Sequence, residues 1–118
     1  MDDPVRIISP ELHDAYNEMD FNLKLGMALT MSSYAGYFDD KEFGSVVRYH
    51  LIPPLDAGQW LFVCDQEFVV RAMVTWALLD SETFEDIRET KRPMELDEWN
   101  TGDIMFFDNV IGPNGWAL

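Results

Sequence analysis

The chain has 118 residues, of which 47% are hydrophobic and 14% aromatic, so it is long enough to bury one core. Twenty-two acidic residues against eight basic ones give a formal net charge of −14. Such a charge repels nucleic acid and anionic membranes and attracts basic surfaces. It therefore excludes direct binding to nucleic acid and predicts a basic protein or a nucleic-acid-handling complex as partner, although excess acid also simply keeps a small protein soluble.

Cysteine usage and the N-terminus indicate the cellular compartment. Cys64 is the only cysteine, so the sequence predicts no disulfide, no metal site and an inert, buried thiol. The start Met-Asp-Asp-Pro lacks the features of a secretion signal, and no apolar stretch reaches membrane-spanning length. We expect a cytoplasmic protein with no membrane span and no cofactor of its own.

The order of elements predicts a single α+β domain over residues 1–118. N-terminal helices precede a mostly antiparallel sheet of about four strands with one inserted helix. Residues 1–8 are predicted to form an extended arm, and Ser9, followed by proline, begins a first helix. A second helix begins at Asp20 and fades at Ser32-Ser33.

Two apolar runs are the strongest strand signals in the chain. Gln59–Asp65 and Phe68–Leu79 are rich in β-branched and aromatic residues, and a short polar break separates them. This pattern predicts an antiparallel hairpin. Because both runs are nearly continuously apolar, we expect them to be the central strands of the sheet, with Trp76 buried.

Two further strands and one helix complete the predicted fold. Ser45–Ile52 alternates loosely and precedes Pro53-Pro54, which predicts a strand that the prolines stop. Ser81 can cap a short helix over Glu82–Lys91. Ile104–Ile111 is the last strand.

Seven acidic residues are candidate contacts for a basic partner. Four of them recur at i, i+3, i+4 and i+7 in the inserted helix and so share one face, and three follow in the connection after it. The candidates are Glu82, Glu85, Asp86, Glu89, Glu95, Asp97 and Glu98. Rows of carboxylates can replace phosphates against Lys and Arg, but such a stripe is normally just a solvated face.

Asp108 is the acid whose position is least ordinary, because it interrupts an apolar strand. It must be paired, solvated in a cleft or shifted in pKa, unless it lies in water at the strand end. The two histidines, His13 and His50, are far apart in sequence, and the chain contains no phosphate-binding loop, zinc motif or nucleophile elbow.

Several short motifs follow one another in a recognisable order between Leu25 and about residue 115. The most specific are Trp76-Ala77 and the Trp-x-x-Gly-Asp motif of Trp99 to Asp103. The others are Leu25-Gly26, Ser32-Ser33, Leu51-Ile52-Pro53-Pro54-Leu55, Gln59, Asp80-Ser81-Glu82 and Phe106-Phe107-Asp108. This order resembles the toxin-activating lysine acyltransferases that fatty-acylate RTX haemolysins. The resemblance implies an acetyltransferase-like fold, here shortened, and transfer of a fatty acyl group from acyl carrier protein to a toxin lysine.

The resemblance also implies a catalytic pair, of which this sequence retains one member. The family pairs a histidine, in a Ser-Pro-Leu-His type motif, with an aspartate on a late strand, and that aspartate corresponds to Asp108. The segment that corresponds to the histidine motif, Ser33 to Asp40, contains no histidine. Imidazole is the ordinary general base near neutral pH. The candidate substitutes are His50 and a carboxylate of Asp39-Asp40.

Two functions follow from these observations. The sequence favours a catalytically silent relative, a small acidic inhibitor that blocks a basic, nucleic-acid-binding protein surface as phage anti-defence proteins do. The alternative is an active acyltransferase that uses acyl-acyl carrier protein as donor and Asp108 with a substitute base. A cleft that is lined by Asp108 and contains a histidine favours the second function.

Overall fold

The computed structural model describes residues 6–8, 20–34, 36, 39–67 and 69–112. The described part of the chain contains the strands β1 (Arg6–Ile8), β2 (Trp60–Cys64), β3 (Val70–Leu79) and β4 (Ile104–Ile111). They form one antiparallel sheet in the order β1-β2-β3-β4. One helix and a three-part helical segment precede the hairpin of β2 and β3, and a further helix lies between β3 and β4. The predicted α+β class is confirmed.

The predicted hairpin forms the centre of this sheet. β2 and β3 pair in antiparallel fashion, with Trp60 opposite Thr75 and Phe62 opposite Met73. Alternate residues of β2 are fully buried, and β1 covers the outer edge of β2. Both strands are therefore interior strands, as their nearly continuous apolar sequences predict.

Helix α1 (Phe21–Tyr34) begins where the sequence predicts. The Asp20 carboxylate accepts a hydrogen bond from the Asn22 N–H at 2.9 Å, which satisfies one of the free donors of the first turn. Two side chains of this helix, Ala28 and Met31, are buried and pack in the main core with residues of β2 and β3. The predicted helix from Ser9 lies outside the described residues.

The predicted strand over Ser45–Ile52 is wrong, because this segment is helical. It comprises α2 (Phe43–Val46), a π-helical turn (Val47–Leu51) and α3 (Ile52–Ala57). The two prolines do not stop a strand but occupy the first turn of α3, where the fixed backbone angle of proline suits a helix. Apart from the prolines, the buried side chains of this segment recur at intervals of four and five residues, as in a helix, and not at every second residue as in a strand. They are Val46, Leu51 and Leu55.

Trp76 is only half-buried, so the prediction that it is buried is wrong in degree. Side chains alternate along β3, and Thr75 and Ala77, its neighbours, are the ones that face the core. The tryptophans that fill the core are Trp60 and Trp99, with 1% and 2% of their surface exposed.

The Trp-x-x-Gly-Asp motif has a structural role in the connection before β4. Trp99 is buried in a second cluster with Leu79, and its carbonyl accepts from the Leu78 N–H at 2.9 Å. A Cβ at Gly102 would lie 2.6 Å from backbone atoms of Asp80 and Leu79. Only glycine allows this close approach, which accounts for the specificity of the motif.

Helix α4 (Ser81–Thr90) is held at its C-terminal side by an ion-pair network. Asp80, rather than Ser81, caps its start by accepting from the Thr83 N–H at 2.7 Å. After the helix, the Arg92 guanidinium donates to both carboxylate oxygens of Glu98, at 2.7 and 2.8 Å, and to Asp86 at 2.8 Å. The network ties α4 to the connection that leads into β4.

This network makes stability depend on pH. Hydrogen bonds from Arg92 lower the pKa of Glu98 from 4.5 to about 2. Because the folded-state pKa is depressed, the stabilisation is present above about pH 4.5 and is lost as the pH falls toward 2. Glu98→Gln should therefore flatten the decline of unfolding free energy across that window, measured by urea denaturation at several pH values. Glu89→Gln on the exposed face of α4 is the matched control, and an unchanged slope in Glu98→Gln contradicts the assignment.

Candidate functional site

The structure brings His50 and Asp108 together from distant parts of the chain. His50 Nδ1 lies 2.8 Å from Asp108 Oδ2. The Asp108 side chain is 10% exposed and that of His50 is 29% exposed. The carboxylate is thus largely screened from water, while the imidazole is more accessible.

A β-bulge in β4 orients the Asp108 side chain toward His50. Thr75 pairs with Asn109, but the next residue of β3, Trp76, pairs with Phe107, so Asp108 is an extra residue in β4. The bulge shifts the alternation of the strand, and this lets Asp108 face the cavity while Asn109 faces the core. β-bulges commonly re-aim side chains beside functional sites.

His50 lies in the π-helical turn, and a hydrogen bond from Asn109 holds its backbone carbonyl. In the turn the Ile52 N–H donates to the Val47 carbonyl, five residues back. The residue four positions after His50 is Pro54, which has no N–H to donate to the His50 carbonyl. Asn109 Nδ2 donates to that carbonyl instead, at 2.9 Å, and also to Thr75 Oγ1 at 2.8 Å. Asn109 therefore links the backbone of His50 to the strand that carries Asp108.

Two cavities flank His50. The first, of about 380 Å³, lies between α4 and β4, and its walls include Phe84, Ile87, Phe106 and Asp108. The second, of about 430 Å³, lies on the side of α2. It is lined by the polar residues Lys41, Glu42, Ser45 and Tyr49 among others. His50 therefore borders both cavities.

The pair can move a proton. With Nδ1–H donating to the Asp108 carboxylate, Nε2 carries the lone pair of the ring. No described residue hydrogen-bonds to Nε2, so it is free to accept a proton from a bound molecule. A carboxylate that orients the ring and stabilises the imidazolium is the arrangement that general-base histidines use.

The other candidate base is not part of this arrangement. Asp39 and Asp40 are exposed and line neither cavity. Among the residues that the structure describes, no group of three or more potential metal ligands occurs.

The candidate partner-binding acids divide into two groups. Glu85 pairs with Arg88, and Asp86 and Glu98 both pair with Arg92, so these three are neutralised within the chain. Glu95 is exposed, and it and Glu98 form a capping box around the short 3₁₀ turn Leu96–Glu98. Of the seven candidates, those that are exposed and form no ion pair with a described residue are Glu82, Glu89, Glu95 and Asp97. Their contact with a partner stays a prediction.

Cys64 is completely buried, and burial, followed by the charge of Asp65, raises the pKa of its thiol to about 11. A thiol of this kind is a poor nucleophile. Among the helices of the described residues, none has both the length and the hydrophobicity that a membrane span requires.

The sequence analysis did not identify Asn109 and Thr75 as residues of the site, although Asn109 is the second polar residue of an otherwise apolar strand, beside Asp108.

Comparison with known proteins agrees with the motif order. A search of curated proteins found no match. A comparison with protein families matches residues 18–117 to HlyC, the RTX toxin acyltransferase family. Since the match covers most of the sequence, the chain belongs to the RTX toxin acyltransferase family.

Proposed function

We propose that this protein is a lysine acyltransferase in which His50 replaces the histidine missing from the Ser33–Asp40 segment. The observation that carries the proposal is the 2.8 Å contact of His50 Nδ1 with Asp108 Oδ2 beside an open cavity. The sequence favoured a silent relative because no histidine stands at the family position. A histidine that reaches the same aspartate from another element removes that objection.

The proposed reaction needs one base and no covalent intermediate. The neutral amine of the acceptor lysine attacks the thioester carbonyl of the donor, and His50 Nε2 takes a proton from the attacking nitrogen. A carbon–nitrogen bond forms, the carbon–sulfur bond breaks, and the proton passes from the imidazolium to the leaving thiolate. Asp108 holds the ring and stabilises its positive charge during the transfer.

The donor and location in this proposal follow from family membership and from composition. The donor is an acyl-acyl carrier protein, as in the toxin-activating enzymes, and the location is cytoplasmic, which agrees with a single buried cysteine. The test incubates the protein with acyl-loaded carrier protein and a lysine-containing acceptor and follows the acceptor mass. Acylated lysine supports the proposal. An unmodified acceptor under conditions that modify it with a family enzyme contradicts the proposal.

A second candidate function, the acidic inhibitor of a basic nucleic-acid-binding surface, is favoured by the charge of −14 and by the exposed acids of α4 and its connection. Exposed ion pairs are individually weak, about 0.2 to 1 kcal/mol each, so such a surface acts mainly on the association rate.

Charge reversal tests this second candidate without disturbing the ion-pair network. The double variant Glu82→Lys and Glu89→Lys changes only acids that pair with no described residue. We expect slower association with a basic protein partner and a flatter dependence on ionic strength, measured by stopped-flow mixing. Asp56→Lys and Asp103→Lys, exposed acids elsewhere, are the matched control. Equal rates for the double variant and the parent across the salt range contradict a role for these acids.

A further inference from the structure

We propose that the cavity between α4 and β4 binds the hydrocarbon chain of the acyl donor, with Phe106 and Phe84 determining how long a chain it accepts. The inference rests on the proposed acyl transfer and assigns the more apolar of the two flanking cavities to the donor.

The two cavities differ in chemistry. The first has an apolar wall, Phe84, Ile87, Met94 and Phe106, whereas the second has instead the polar residues Lys41, Glu42, Ser45 and Tyr49. The residues that line both cavities are His50, Lys91, Arg92 and Pro93. A hydrocarbon chain is stabilised in proportion to the apolar surface it buries. The first cavity therefore suits the acyl chain.

The apolar wall is formed before any ligand binds. Ile87 and Met94 are 7% and 3% exposed and belong to the core cluster of Leu79 and Trp99. Phe84 and Phe106 pack edge to face, with ring centroids 6.4 Å apart. A preformed apolar cavity binds a chain without the cost of ordering its own side chains.

The position of the cavity also orients the donor. Asp108 and His50 line the same cavity, so a chain held against Phe106 places its carbonyl near the imidazole. Lys91, which is exposed and forms no ion pair with a described residue, also lines it and suits a phosphate-bearing head group. Arg88 and Arg92 are already paired with acids of the chain.

The test measures binding of S-alkyl pantetheine thioethers, which carry no thioester and cannot be transferred. By calorimetry, we expect affinity to rise about fourfold with each added methylene until the cavity is filled, and then to level off. Phe106→Ala should weaken the long-chain thioether about tenfold or more, whereas Phe107→Ala on the opposite face of the same strand should change it less than about twofold. Phe84→Ala repeats the test from α4 if the Phe106 variant does not fold.

Two results overturn the assignment: affinity that does not depend on chain length, or equal losses in the Phe106 and Phe107 variants. Because the probe is unreactive, its binding is measured whether or not transfer occurs. Chain-length-dependent binding without acylation of any lysine refutes the acyltransferase function and leaves the cavity as a hydrocarbon site. Acylation with length-independent binding refutes the cavity assignment alone.

Discussion

His50→Ala should lower the rate of lysine acylation about 100-fold to 10,000-fold, the usual contribution of a positioned general base. The physical reason is that the His50 ring, held against Asp108 through Nδ1, is the only imidazole among the described residues of the cavity, and its Nε2 accepts the proton. The rate is measured by mass spectrometry of the acceptor under single-turnover conditions. Because His50 is part of the helical surface and 29% exposed, its removal should leave the fold intact.

Two further variants separate chemistry from folding. Asp108→Asn keeps the shape of the side chain but removes the charge that stabilises the imidazolium, so it should also slow transfer strongly. Arg48→Ala changes an exposed residue of the same π-helical turn that lines neither cavity, and it should act like the parent. Full activity in His50→Ala eliminates the proposed base, even if lysine acylation itself is observed.

Trp60→Ala should cost about 3 to 5 kcal/mol of unfolding free energy, a large share of the roughly 5 to 15 kcal/mol of a small domain. The indole is 1% exposed, packs against Phe62 with ring centroids 5.3 Å apart, and lies below the ammonium of Lys24, 5.5 Å from the ring centre. Its loss leaves a cavity beneath α1 in the main core. Urea denaturation monitored by circular dichroism measures the change.

Trp76→Ala is the matched comparison, because Trp76 lies in the neighbouring strand and is only half-buried. It should cost about 1 to 2 kcal/mol, since less apolar surface leaves the core. If the two substitutions cost the same, the main core does not depend on Trp60 in the way that its burial indicates.

Local sequence signals were sufficient for most of the elements. The hairpin of β2 and β3 follows from β-branched and aromatic runs around a polar break, and α4 follows from its spacing, although Asp80 rather than the predicted Ser81 caps it. The segment before Pro53-Pro54 was misread because a few alternating apolar residues fit a strand as well as a π-helical turn, and the prolines end one structure but begin another. The buried face of β3 was also decided by pairing and packing, which is why Trp76 is less buried than its apolar surroundings suggest.

The sequence by itself determined the family, through the order of motifs from Leu25 onward, and it singled out Asp108 as an acid in an apolar strand. It could not determine the partner of that acid, because His50 lies 58 residues away and belongs to a segment whose type was misread. Only the tertiary structure joins them: the bulge in β4 orients Asp108 toward the cavity, and Asn109 donates to the His50 carbonyl, to which Pro54 has no N–H to donate. Contacts of this range depend on how whole elements pack, whereas caps, turns and periodicity act within a few residues. Most elements could therefore be predicted from the sequence, and the pairing of His50 with Asp108 could not.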